Sequence, residues 1–146
     1  TGVLKCYMNG PEYSVFIDDS LNGVFKEGDV ISVSLDGNGY VKNYRVRASL
    51  GADVIPPFTS GKNTDSYSYI LGTVKSYDSA SSMLTVDYGG EIDTCILDSG
   101  AVILVYEKGK RKSIVSTGSV DDVLDGKTVF LKKNYGKVQN AVVVVD

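Results

Sequence analysis

The stretch FKEGDVISVSLDGNGYVKNYRV, residues 25–46, recurs in a related form as VLDGKTVFLKKNYGKVQNAVVV, residues 123–144. Both copies place a glycine turn, at Gly28 and at Gly126, before an alternating apolar run. Both then close through Gly-x-Val-x-Asn ahead of a final strand that carries valine. Alternation with a period of two residues is typical of β-strands, and the glycines suit tight turns. The pattern therefore predicts the same β-hairpin twice in one chain.

The repeat extends upstream of these two stretches. GVLKCY at 2–7 matches GTVKSY at 72–77, and each is followed by a polar turn and a second short apolar strand. This order of strand, turn and strand is typical of a hairpin. From its first glycine to Gly28 the first copy spans 26 positions, whereas the second spans 54 positions to Gly126, so the second copy holds 28 extra residues. The extra residues include EIDTCIL and AVILVYE, which we interpret as two further strands.

We divide the chain into module 1 at 1–48, a connector at 49–71 and module 2 at 72–146. The connector contains Pro56-Pro57 and a mixture of small polar residues without helical periodicity. A β-unit below roughly 50 residues can hardly bury enough apolar surface to offset its chain entropy. We therefore expect module 1 either to pack against module 2 or to lack a piece that its parent protein supplies.

Helix is scarce in the sequence. The best candidate is TGSVDDVLDG at 117–126, with Ser119 as N-cap and a glycine as stop, and 18–29 occupies the same place in the first copy. Each holds one or two turns at most. The predicted fold class is all-β, with two related but unequal antiparallel modules that are barrel-like (OB- or SH3-like) or sandwich-like and packed together.

Composition excludes several functions. The chain has 15 basic and 18 acidic residues, a net charge of −3 and no histidine. A nucleic-acid binder is expected to carry a concentrated basic field, so we expect no nucleic-acid partner. Without histidine, Ser-His-Asp and Cys-His catalysis is impossible, and we expect no enzyme, no cofactor and no metal. Cys6 and Cys95 could be paired or separate, and no apolar run is long enough to span a membrane.

The positions of the acidic clusters predict structural roles and not catalytic ones. The carboxylates at 18–19, 121–125 and 87–93 fall at predicted strand ends or turns, where aspartate caps backbone donors. DGNG at 36–39 resembles the start of a calcium loop, but the twelfth position is Arg47 where that loop needs a bidentate acid. We predict that DGNG is a hairpin turn.

One strip of side chains is a candidate binding surface, on the last strand of module 1. It contains Tyr40, Lys42, Tyr44, Arg45 and Arg47. Aromatic and basic side chains in a small barrel can bind oligonucleotides or oligosaccharides. The second copy has Lys137 and Ala141 in place of the two tyrosines, so the strip is not shared by the repeat. Tyrosines on a solvated sheet face are the alternative explanation.

The repeat resembles β-rich modules of large surface proteins of Gram-positive bacteria, of the kind found beside surface-layer homology domains. The residues that carry the likeness are GTVKSYDSASSMLTVDY at 72–88, the region at 120–144 and the stretch at 25–46. The resemblance implies an extracellular or cell-surface location and a spacer or adhesive role without catalysis. It also implies other domains of a larger parent protein as partners.

These observations predict a non-enzymatic structural or interaction module of a bacterial cell-surface or secreted protein. The first alternative is an accessory module that binds a glycan or a cell-wall polymer. The second is an OB-like binder of single-stranded nucleic acid, which predicts binding that weakens as salt rises.

Overall fold

In the computed structural model, the described residues are 2–8, 10–60, 67–109 and 113–146. They form eleven strands and two 3₁₀ turns, so the all-β prediction is confirmed. The chain divides into two compact units, Thr1–Ile55 and Pro56–Asp146, called unit 1 and unit 2 below. No helix in the described parts of the chain is long and apolar enough to cross a membrane.

Unit 1 consists of two hairpins joined by a 3₁₀ turn. Its elements are β1 (Gly2–Tyr7), β2 (Glu12–Ile17), η1 (Asp19–Leu21), β3 (Asp29–Leu35) and β4 (Val41–Ser49). β1 pairs antiparallel with β2, and β3 pairs antiparallel with β4, as separate two-stranded sheets. DGNG forms the turn between β3 and β4, as predicted, with Gly39 at a φ of 84°. The alternation of the sequence places Val15, Ile17 and Val41 in a small buried core.

Unit 2 contains a closed barrel. Its elements are β5 (Phe58–Ser60), β6 (Ser68–Asp78), β7 (Met83–Tyr88), β8 (Glu91–Glu107), β9 (Ile114–Thr117), η2 (Val120–Asp122), β10 (Thr128–Asn134) and β11 (Lys137–Val145). Five strands close in the order β6–β7–β8–β11–β10–β6. β5 pairs with β6, and β9 pairs with the end of β8. This is the connectivity of an OB-like barrel, with η2 between the third and fourth barrel strands.

The barrel closes because β6 changes its partners along its length. Its first half pairs with β10 and its second half with β7, and both pairings include Thr73. Gly72 lies at this junction, where a Cβ atom would be 2.3 Å from the carbonyl oxygen of Asp87. A glycine is therefore required at the point where the two neighbouring strands meet β6.

β8 differs from the sequence-based expectation in two respects. EIDTCIL and AVILVYE, predicted as separate strands, form one strand of 17 residues. Its register against β11 slips between Leu97 and Val102, so the intervening residues bulge and the strand continues past a polar, glycine-containing segment. β8 and β11 also run parallel, whereas only antiparallel pairing was predicted.

The core of unit 2 lies inside the barrel. Thirteen of the described residues form one buried cluster: Ile70, Val74, Leu84, Val86, Cys95, Leu97, Ile103, Val123, Val129, Leu131, Val138, Ala141 and Val143. All but Val123 come from barrel strands at alternating positions, which follows from the two-residue period of a strand. Val123 follows η2 and adds its side chain to the same cluster.

The segment predicted as a connector, 49–71, is partly strand. It contains the last residue of β4, the whole of β5 and the first residues of β6. Positions 61–66 of that segment lie outside the described residues. Cys6 and Cys95, whose pairing the sequence left open, are both free thiols.

Candidate functional site

The strip predicted on β4 is divided between different surroundings. The ring of Tyr44 contacts Phe25, which packs against the unit 1 core, with 5.1 Å between ring centroids. Arg45 lies opposite Ser32 on the neighbouring strand, and the Nε of Arg47 donates a hydrogen bond of 2.9 Å to the Ser32 hydroxyl. Since Tyr44 and Arg45 are consecutive strand residues, their side chains point to opposite faces.

The remaining strip residues do not join these groups on one surface. Tyr40 precedes β4, and its half-buried ring lies 5.4 Å from the ring of Phe16. Lys42 is exposed and lies where the register of β3 and β4 slips. The structure therefore brings Arg45 and Arg47 together, but not the tyrosines with them. A binding role for these residues stays a prediction.

A different surface is marked by its backbone conformation. Across the described ranges, Ser82 and Tyr135 are the two non-glycine residues with positive φ, at 57° and 50°. Ser82 ends the loop between β6 and β7, and Tyr135 with Gly136 forms the two-residue turn between β10 and β11. A turn with two positive φ angles favours Asn-Gly, and a bulky residue there is strained. Strained residues of this kind cluster at functional sites.

Both of these loops are hydrogen-bonded to the same place on β8. The backbone N–H of Leu97 donates to the carbonyl of Ser82 at 2.8 Å. The N–H of the preceding residue, Ile96, donates to the carbonyl of Gly136 at 3.1 Å. Because consecutive N–H groups of a strand point to opposite edges, β8 holds one loop on each side.

An exposed apolar row lies between the two loops. Ile96 is the direct neighbour of Met83 on β7 and of Lys137 on β11, so the three side chains share one face. Met83 and Ile96 are each 40% exposed, and Tyr135 at the turn is 65% exposed. We call Ser82, Met83, Ile96, Tyr135 and Lys137 the rim patch.

The same barrel face continues along β7 and β8 with more polar character. Thr85 lies opposite Thr94, and Asp87 lies opposite Ile92, which is 53% exposed. The Asp87 carboxylate accepts a hydrogen bond of 2.8 Å from the N–H of Gly90, so it also caps the β7–β8 turn. The face therefore has apolar residues at both ends and threonine hydroxyls between them.

A buried ion pair supports the turn that carries Tyr135. Lys133, 2% exposed inside the barrel, places its Nζ 2.6 Å from the carboxylate of Asp93 on β8. Lys133 precedes Tyr135 by two residues, so the pair fixes the end of β10 to β8. Burial raises the pKa of the nearby Cys95 thiol to about 11, although the positive charge of Lys133 acts in the opposite direction. Cys95 is therefore a neutral core side chain.

One carboxylate from each of the acidic clusters at 18–19 and 121–125 caps a local turn, as the sequence predicted. A carboxylate oxygen of Asp18 accepts from the N–H of Ser20 at the start of η1. Asp122 and Ser119 form a reciprocal capping box at the start of η2. Asp93 is the exception, since it was predicted at a strand end or turn and instead lies within β8.

Sequence reasoning missed the rim patch and the ion pair. Alternation does not say which face of a strand meets solvent, so Met83 and Ile96 carried no signal of their own. Two signals were present in the turn region. Tyr135 directly precedes the turn glycine, where the first copy has Asn38, and Lys133 is in phase with the buried residue Leu131.

Comparison of the chain with protein-family models, with curated proteins and with solved structures finds no match in any of the three.

Proposed function

We propose that the protein is a non-enzymatic interaction module that binds a protein partner through the rim patch of unit 2. The observation that carries this proposal is the coincidence of strain and exposure. The strained residues Ser82 and Tyr135 flank the exposed apolar row that contains Ile96. Because an unfavourable backbone conformation costs on the order of 1 kcal/mol or more, a residue that keeps it at an exposed position is a functional candidate.

The chemistry of the rim patch suits a protein surface. Methionine and tyrosine are enriched at protein interfaces, because one is adaptable and the other combines a rigid ring with a polar hydroxyl. Met83, Ile96 and Tyr135 would form the apolar centre of the contact, with Lys137 at its edge. The partner segment would therefore present an aliphatic or aromatic side chain next to an acidic one.

Glycan or cell-wall polymer binding is the second candidate. It is favoured by the exposed ring of Tyr135, which stands at a turn beside the barrel face where OB-like proteins bind oligosaccharides. Thr85 and Thr94 on the same face would supply hydroxyl groups to a sugar. Binding of single-stranded nucleic acid has less support, since that function needs several stacking aromatics and a basic groove, whereas the rim patch has one tyrosine and one lysine.

The resemblance of the repeat to known surface modules supports the proposed location and partners. A repeat similar to modules of Gram-positive surface proteins supports a secreted or cell-surface location. It also supports a role in spacing or presenting other domains of a parent protein. The rim patch would then be the surface through which this module contacts them or a neighbouring protein.

A peptide library displayed on phage tests the protein-binding proposal. Peptides selected on the wild-type chain should be rich in apolar residues next to acidic ones. Their affinity should fall about tenfold for Ile96→Ser and for Tyr135→Ser. Ile114→Ser, at a 55% exposed position on β9, is the matched control and should leave affinity unchanged.

Two outcomes would contradict the proposal: no enrichment of peptides, or equal binding to the rim-patch variants and to the control. A glycan array probed with the same variants separates the second candidate. Binding that depends on Tyr135 but not on Ile96 would favour a stacked sugar.

A further inference from the structure

Among the described residues, the outer edge of β2 in unit 1 is bonded to the chain only at its C-terminal end, where Phe16 forms an isolated parallel bridge with Tyr40. The N–H of Phe16 donates to the carbonyl of Gly39, in the β3–β4 turn, at 3.0 Å. Apart from this bridge, the described part of β2 pairs with β1 in a two-stranded sheet. Since backbone groups alternate in direction, the N–H groups of Ser14 and Glu12 point to the same outer edge as that of Phe16. All three residues are exposed, with Phe16 at 42%.

The corresponding edge in unit 2 is occupied. β7, which takes the place of β2 in the repeat, pairs along its whole length with β8. Gly136 takes the place of Gly39, with nearly the same φ of 79° against 84°. Its carbonyl accepts from Ile96 of β8, whereas the carbonyl of Gly39 accepts directly from β2. The equivalent turn therefore contacts the second strand of unit 1 at the place where unit 2 has an additional strand.

The apolar cluster of unit 1 is less completely buried than that of unit 2, as expected if unit 1 lacks one strand. Among the described residues, the buried cluster that β2 contributes to in unit 1 has three members, and six partly buried residues pack against it: Leu4, Cys6, Met8, Leu21, Phe25 and Val33. In unit 2 the corresponding numbers are thirteen and four. β8 contributes Cys95, Leu97 and Ile103 to the unit 2 cluster. Unit 1 thus has the two hairpins of the repeat, but most residues of its apolar cluster are only partly buried.

We propose that unit 1 accepts an extended strand from a partner polypeptide at the outer edge of β2. The incoming strand runs antiparallel to β2, as β8 runs antiparallel to β7. Its main chain pairs with Glu12 and Ser14. A carbonyl of the incoming strand also accepts the hydrogen bond that the N–H of Phe16 now donates to Gly39. Its inward side chains, at every second position, are apolar and extend the unit 1 core. This mode of recognition combines main-chain hydrogen bonds with pockets for alternate side chains.

The sequence of β8 supplies the probe. A synthetic peptide with the sequence of residues 91–97, with serine in place of its cysteine, is titrated into the full-length ¹⁵N-labelled chain. Shifts of backbone resonances are expected along Glu12–Ile17 and at Gly39. The absence of shifts at about millimolar peptide would overturn the proposal. Shifts confined to β7 and its neighbours would do so too, because they would mean exchange with β8.

Two proline substitutions test the edge itself. Ser14→Pro removes an N–H that points to the outer edge of β2, and its ring obstructs that edge. Lys5→Pro is the matched control, since Lys5 lies directly opposite Ser14 and its N–H points to the outer edge of β1. Affinity for the peptide should fall about tenfold for Ser14→Pro, about 1.4 kcal/mol, and should be unchanged for Lys5→Pro.

Equal affinities for the two proline variants would overturn the proposal. If either variant fails to fold, the shift map of the unsubstituted chain decides alone. This experiment concerns β2, and the phage selection concerns the rim patch, so either proposal can fail without the other.

Discussion

Unit 1 and unit 2 contain the same pair of hairpins, but only unit 2 closes them into a barrel. The shared parts agree in detail. Gly28 and Gly126 both have a φ of 86°. The turn bond from Asp29 N–H to the Lys26 carbonyl measures 3.1 Å, and so does its counterpart from Lys127 in unit 2. The difference is β8, which the 28 extra residues supply together with β9. The repeat is a building block, and closure depends on the strand inserted into it.

The β-turns that close the second hairpins show how the two copies have diverged. In unit 1, the Asp36 carboxylate accepts backbone hydrogen bonds from Asn38 at 2.8 Å and Tyr40 at 3.0 Å. This carboxylate therefore stabilises the turn locally. In unit 2 the place of Asn38 is taken by Tyr135, whose φ is positive and whose side chain is exposed. The first turn is built for stability, and the second presents a side chain.

Replacing the glycine in the first strand of each copy should give the largest difference in unfolding free energy between the two units. Gly72→Ala places a Cβ atom 2.3 Å from the backbone oxygen of Asp87, so we expect a loss of about 3 kcal/mol or more in the free energy of unfolding. Gly2→Ala places its Cβ 3.3 Å from the Ile17 side chain, which can move, and should cost within about 1 kcal/mol. Urea unfolding of both variants measures this. Equal costs would contradict the account of barrel closure.

The buried ion pair should show the next largest effect. Lys133→Ala removes the ammonium group that lies 2.6 Å from the Asp93 carboxylate, and a cost of about 2–3 kcal/mol is expected because Asp93 keeps partial contact with water. The repeat places Leu35, which is 40% exposed, at the equivalent position of unit 1. Leu35→Ala should therefore cost within about 1 kcal/mol. Thermal or urea unfolding compares the two, and a larger loss for Leu35→Ala would argue against the role assigned to β8.

Alkaline pH should destabilise the barrel through Cys95. Its pKa is raised by burial from 9.0 to about 11, so the unfolded chain loses the thiol proton at lower pH than the folded chain does. The stability due to this group is complete below pH 9 and is lost as pH rises towards 11, by on the order of 2 kcal/mol. The difference in unfolding free energy between wild type and Cys95→Ala should narrow across that range. A constant difference would mean that the thiol is accessible in the folded barrel.

The smallest expected effect concerns the strained turn. Tyr135→Asn restores Asn-Gly at a position with positive φ and should raise the unfolding free energy by about 0.5–1 kcal/mol. The same variant should weaken the binding of rim-patch peptides. Asn38→Tyr in unit 1 is the reciprocal substitution; because Asn38 does not have a positive φ, it should change stability by less than about 0.5 kcal/mol and should not create a peptide-binding surface. A gain in stability without a loss in binding would separate the strain from function.

Local features of this fold were readable from the sequence. The two-residue period and the turn glycines predicted strands and hairpins because they act between neighbouring residues. The pairing of β8 with β11 is parallel and joins strands that are distant in sequence. No hairpin turn connects them, so no local sequence pattern predicts the pairing. The continuity of β8 through Gly100 was hidden because polar residues and a glycine also fit a turn. Lys133 was assigned to no partner, since its carboxylate lies 40 residues away in sequence.

The proposed binding surface is harder to predict from the sequence than the fold. The composition of β4 predicts a binding strip of tyrosines and arginines, but strand alternation places the side chains of Tyr44 and Arg45 on opposite faces. The rim patch combines residues from three stretches of the chain, 82–83, 96 and 135–137, which become neighbours only when the barrel closes. Tyr135 alone carried a local signal, because a bulky residue before a turn glycine is unfavourable.

Native-state hydrogen exchange tests the central difference between the two units most directly. The amides of Ile96 and Leu97 in β8 donate to the two loops of the closed barrel. The amide of Ser14 points from the open edge of β2. Exchange at Ser14 should be faster than at Ile96 and Leu97 by on the order of 100-fold or more after correction for intrinsic rates. Protection of Ser14 equal to that of the two β8 amides would contradict an open edge in unit 1.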